Sequence, residues 1–62
     1  MTVDIEGLGK ITASKEVLCE LVTAFYIESE YYKNRNQSVL SERSSKRASI
    51  IYEALEKCGY YD

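Results

Sequence analysis

TVDIEGLGKITASKEVLCELV, Thr2 to Val22, changes its hydrophobic period in the middle. From Thr2 to Ala13, apolar and polar residues alternate around a Gly7-Leu8-Gly9 centre, which reads as two strands and a turn. From Ser14 onward the apolar residues recur every three or four positions, which reads as a helix. The switch predicts a hairpin over residues 2–13 that passes directly into a helix. A three-residue loop, Gly7-Leu8-Gly9, pairs Glu6 with Lys10, Ile5 with Ile11, Asp4 with Thr12 and Val3 with Ala13. That register sets Val3, Ile5, Ile11 and Ala13 on one face, because cross-strand partners point the same way. Gly9 would supply the left-handed residue such a loop needs.

Ser14 is a favoured helix N-cap. Val17, Leu18, Leu21, Val22, Phe25 and Tyr32 then share one stripe, and neither Gly nor Pro interrupts the chain before Asn36. The first helix is expected over about 15–33. It should stop at Asn34-Arg35-Asn36, since asparagine suits helix ends and turns. The link is expected over 34–43; residues 34–45 hold four serines, and serine favours caps over helix interiors, so Ser38 or Ser41 is a candidate cap. The second helix starts near 39 or 44 and carries Ala48, Ile51, Leu55 and Cys58 on one face. Gly59 closes it near 58, and 59–62 form a tail. Serines on the stripe of Leu40, Ile51 and Leu55 imply that this helix begins late or turns its first turns away from the core.

The expected architecture is one domain, mainly α (α+β): a two-stranded β-hairpin, then an antiparallel pair of helices. The first helix has a wide apolar arc. Val17, Leu21, Phe25 and Tyr32 occupy its centre, Cys19, Val22 and Tyr26 one flank, and Ala24 and Tyr31 the other. Glu16, Glu20, Thr23 and Glu30 form a narrow polar wall, with Ile27 among them. One partner helix and a ribbon cover too little of that arc. A homodimer is therefore expected, with Val22, Phe25, Tyr26, Ile51 and Leu55 as candidate contacts. Length points the same way: a 62-residue chain buries only about 60% of its unfolded surface, and cores this small usually need a staple or partner.

Composition excludes several classes. With 45% hydrophobic and 29% charged residues the chain is neither disordered nor of low complexity. The longest apolar run is four residues, Ala24 to Ile27, far short of the roughly 20 of a membrane span. The acidic start, Met-Thr-Val-Asp-Ile-Glu, is unlike a secretory leader, so a cytoplasmic setting is expected. Cys19 and Cys58 then read as reduced thiols; a disulfide between the helices is the alternative. The chain has no His, which removes the commonest general base and metal ligand. Glu16 with Glu20, and Glu53 with Glu56, are paired carboxylates on solvated faces. Neither they nor the serines form a catalytic pattern. No catalytic residue, metal or cofactor is expected.

Charge is unevenly distributed. Between Lys33 and Arg47 stand five basic residues (Lys33, Arg35, Arg43, Lys46, Arg47) and one acid, Glu42, a local +4. The remainder holds three basic and nine acidic residues, so −6, for a net −2. Helix-dipole compensation accounts for Lys33 and Arg35 but not for cations at the start of a helix. Tyr31, Lys33, Arg35, Arg43, Lys46 and Arg47 are thus candidate contacts for another protein or a nucleic acid. Tyrosines beside basic residues suit recognition surfaces, including single-stranded nucleic acid.

Two functions compete. One is a non-catalytic interaction module of regulatory or adaptor type, acting as a homodimer. The other is a small DNA-binding regulator. In apolar spacing, residues 10–25 and 46–55 resemble ribbon-helix-helix repressors, which implies a dimer that binds DNA, here with the basic segment. The first helix is about two turns longer than in that pattern. An extra strand precedes the ribbon, and Asp4 and Glu6 occupy its outward face.

Overall fold

A computed structural model describes residues 1–61; Asp62, at the end of the expected tail, lies outside them. The elements are β1 (Thr2–Ile5), β2 (Gly9–Thr12), α1 (Lys15–Asn34) and α2 (Ser38–Lys57). The strands pair antiparallel, Thr2 with Thr12, Val3 with Ile11, Asp4 with Lys10 and Ile5 with Gly9. This register is two residues tighter than the alternation suggests. The reason is the turn: the Leu8 N–H donates to the Ile5 carbonyl at 2.9 Å, and Gly7, the third turn residue, has φ +87°. That position favours glycine because a Cβ is disfavoured there. A shift of two leaves every side chain on its original face, so facing alone could not choose between the registers. Val3 and Ile5 are buried, and Ile11 and Ala13 pack half-buried beside them. The ladder continues one pair further. The Ala13 N–H donates to the Met1 carbonyl, and the terminal amine donates to the Ala13 carbonyl.

Ser14 caps α1 as its chemistry predicts, its Oγ accepting from the Val17 N–H at 3.2 Å. At the other end Asn36 takes φ +59°. The Asn36 N–H bonds the Lys33 carbonyl and the Gln37 N–H bonds the Tyr32 carbonyl. This pair of bonds is the left-handed stop that satisfies a helix's last carbonyls. α2 ends the same way: Gly59 has φ +79°, with its N–H on Glu56 and the Tyr60 N–H on Leu55.

The link is much shorter than 34–43. Only 35–37 separate the helices, and α2 begins at Ser38, close to the earlier of the two expected starts. Neither Ser38 nor Ser41 caps it. Gln37 holds the cap position without a side-chain bond, and Ser38 and Ser41 are already helical. The serines serve another purpose. Ser29 Oγ donates to the Ser41 carbonyl at 3.0 Å, and Ser41 Oγ donates back to the Ser29 carbonyl at 2.9 Å. Ser44 is fully buried and its Oγ donates to Glu28 Oε1 at 2.6 Å. These contacts pair low numbers with high and fix α1 and α2 as antiparallel. Small polar residues thus line the crossing, and α2 keeps its early turns against α1.

The core is Val3, Ile5, Leu18, Val22, Ala48, Ile51 and Leu55. Each large aliphatic there contributes about 1.5–3 kcal/mol on burial. The buried face of α1 runs through Leu18, Val22 and Ser29. At 100° per residue that face is turned by about 70° from the expected Val17–Leu21–Phe25–Tyr32 centre. The serine crossing sets that rotation. Leu21, Phe25 and Tyr32 become half-buried flanks, and Val17 is left exposed. The molecule measures 35 × 24 × 16 Å.

Candidate functional site

The basic residues fall into two groups. At the end of α1, the Arg35 guanidinium carbon lies 4.5 Å from the Tyr31 ring centre. Tyr31 meets Tyr32 edge-on, with ring centres 5.6 Å apart. Lys33 borders a shallow depression with Asn36, Ser38 and Glu42. Arg43, Lys46 and Arg47 instead line an open groove of about 770 Å³ beside the hairpin turn. They stand about one and a half to two and a half turns into α2, not at the link.

The groove is electrically balanced. Glu6, Glu42 and Glu53 line it with the three cations, so its formal charge is zero. Val39 and Ile50 supply its apolar surface. Sequence spacing placed Glu6 far from Arg47; the hairpin turn brings them to one groove. Arg47 is half-buried. Its Nη2 lies 2.9 Å from where a Cβ on Gly7 would stand. Its Nε is buried and has no hydrogen-bond partner among the described residues. Arg47 is therefore wedged under the hairpin, less available to a partner than Arg43 or Lys46, which are exposed.

The residues expected at a subunit contact also separate. Val22, Ile51 and Leu55 belong to the protomer's own core, with exposures of 6%, 0% and 0%. A second copy cannot reach them without unfolding the first. Phe25 is half-buried, and Tyr26 is 46% exposed. The rotation of α1 leaves a different apolar strip in solvent: Val17 (46%), Ile27 (66%) and Tyr31 (52%), with Ala24 exposed between them and Leu21 half-buried beside them. Ile27, which the helical wheel set in a polar wall, is the most exposed of these. The seven-residue recurrence of Val17, Ala24 and Tyr31 is the sequence signal that marks this strip.

The tail folds back across both helices. Tyr61 stacks on Tyr52 with ring centres 4.9 Å apart and meets Tyr60 edge-on at 5.2 Å. The Tyr61 hydroxyl lies 3.8 Å from Cys19 Sγ. Desolvation in this cluster, together with the Cys19 contact, pushes the Tyr61 phenol up to about 12. Desolvation also raises Tyr60, with Cys19 as the next cause. Both thiols are unpaired. Cys58 Sγ donates to the Leu55 carbonyl at 3.2 Å.

Of the carboxylates described, Glu28 alone is half-buried; the rest are exposed, including Glu16, Glu20, Glu53 and Glu56. Glu28 accepts a hydrogen bond from the fully buried Ser44. Among the described residues no group of three or more Cys, Asp or Glu is placed to hold a metal ion. No described helix is long and apolar enough to cross a membrane. No protein-family model, curated protein or solved structure matches the chain.

Proposed function

We propose that this chain is a non-catalytic interaction module of regulatory or adaptor type, acting in the cytoplasm as a homodimer. One observation carries the reading: Val17, Ile27 and Tyr31 stand 46–66% exposed on one side of α1, on a helix that runs the length of a thin molecule. Scattered exposed apolar residues are ordinary, but a contiguous strip along one element marks an interaction surface. The core is small for a free-standing domain, and covering this strip supplies apolar burial that the protomer lacks.

The groove on α2 supports the protein-binding reading over the DNA-binding one. Phosphate backbones select for uncompensated positive charge, and the three cations there share the groove with three carboxylates. Sedimentation at micromolar concentration tests the proposal. The expected species is about 14 kDa, twice the 7.1 kDa chain, by the usual two-fold preference of homo-oligomers. A 7.1 kDa species at every concentration overturns the homodimer. A shift with duplex DNA at low salt, abolished by Arg43→Ala and Lys46→Ala, overturns the choice of protein over nucleic acid.

A further inference from the structure

We infer that α1 itself is the dimer helix, packing antiparallel against α1 of a second copy on a two-fold axis that passes beside Ala24. The inference rests on the homodimer reading and adds the surface, the orientation and the register.

Val17, Ala24 and Tyr31 recur at intervals of seven, with Leu21 and Ile27 on either flank. Residues seven apart return to nearly the same side of a helix, so Val17, Ala24 and Tyr31 form a line that a second helix can follow, with Glu20 beside it. Ala24 is the tenth residue of the twenty in α1. Rotation about an axis beside it therefore overlays the two helices along their whole length, about 30 Å. Val17 then meets Tyr31 of the second copy, while Leu21 and Ile27 line opposite edges of the seam. The small methyl of Ala24, exposed in the protomer, allows the axes to approach at the point where the two copies meet like on like.

Charge selects the orientation. The N-terminal half of the strip is edged by Glu16 and Glu20, both exposed, and its C-terminal end carries Arg35, seated over Tyr31. A parallel pairing would set glutamate beside glutamate and arginine beside arginine. The antiparallel one brings Glu16 and Glu20 toward Arg35 of the second copy, and opposes the helix dipoles favourably. Glu28 lies on the opposite flank from Glu20, and its carboxylate is drawn to Ser44 within its own protomer. Because an isologous contact is self-complementary, one strip must hold both charge signs, and this one does. A strip of one sign would instead have called for a different partner of the opposite sign.

The test is a cysteine at the axis. Ala24→Cys is made in a Cys19→Ala, Cys58→Ala background and oxidised gently with glutathione disulfide. Two Cα atoms beside the axis fall within about 7 Å, the reach of a disulfide, so a cross-linked dimer is expected within minutes. Val39→Cys in the same background is the control, since Val39 is 78% exposed but lies on α2; it should remain monomeric on denaturing gels. Ala24→Glu, which sets two carboxylates together at the axis, should keep the circular dichroism spectrum and weaken self-association at least ~10-fold. A sedimenting dimer in which Ala24→Cys does not cross-link, or Val39→Cys cross-links faster, overturns this interface and leaves the homodimer standing. Monomers throughout overturn both.

Discussion

Replacing Ser44 tests how the two helices meet. Ser44 is fully buried at the crossing, and its hydroxyl donates to Glu28 at 2.6 Å. Removing a hydrogen bond to a charged group costs about 1.5–3 kcal/mol. Alanine returns about 0.5 kcal/mol through its better helix propensity. Glu28 is half-buried, so its carboxylate can turn to water once released, which holds the loss near the lower limit. Ser44→Ala should therefore destabilise by about 1 kcal/mol. Ser44→Leu loses the same bond and also forces a larger side chain between the helices, adding about 1–3 kcal/mol of overpacking. Its total, roughly 3 kcal/mol, is a large share of the ~3–9 kcal/mol that a domain of this length has. The assay is urea unfolding followed by helical circular dichroism, at one fixed protomer concentration because self-association shifts the midpoint. With a slope of about 1 kcal/mol per molar, the alanine midpoint should fall by about 1 M, and the leucine variant should be largely unfolded by mild urea. Ser44→Leu with stability equal to or above the parent would refute the close crossing. It would mean that this turn of α2 faces solvent or a looser core.

Gly7→Ala should lose about 1–2 kcal/mol from the left-handed backbone alone, with a smaller addition from shifting the tip of Arg47, whose Nη2 lies 2.9 Å from the new Cβ. Gly9→Ala has a similar φ but open space around it, so thermal melts should show the smaller loss there; equal losses would remove the role given to Arg47. Desolvation in the cluster pushes the Tyr61 phenol up to about 12, against an ordinary value near 10. The folded state thus holds that proton more tightly, so the stabilisation is complete below about pH 10 and is lost as pH rises toward 12. Tyr61→Phe should flatten this alkaline fall in melting temperature, and an unchanged alkaline slope would show that Tyr61 does not contribute to it.

Much of the architecture is written in local chemistry. The change of period at Ser14, the serine cap, and the left-handed stops at Asn36 and Gly59 depend on residues within a few positions of one another. Such signals act before any tertiary contact exists, and each predicts its element correctly. The seven-residue recurrence along α1 was present too, but it was masked by a broader arc in which core and surface residues look alike.

Tertiary structure decided what locality leaves degenerate. The hairpin register is the exception: two registers share the same facing, and the one adopted is closed by a local turn bond from Leu8 to Ile5. Serines read alone favour caps and loops. Opposed across two helices, Ser29, Ser41 and Ser44 satisfy their hydroxyls on one another's backbone or on Glu28, and helix continues through them. That crossing turns α1, placing Leu18 and Val22 inside and Val17, Ile27 and Tyr31 outside. Arg47 joins no basic patch because the hairpin closes over it and brings Glu6 into the same groove. Composition and spacing determined which elements form and where they end. Which face each element buries, and hence which surface is left for a partner, was decided by the packing of small side chains far apart in the chain.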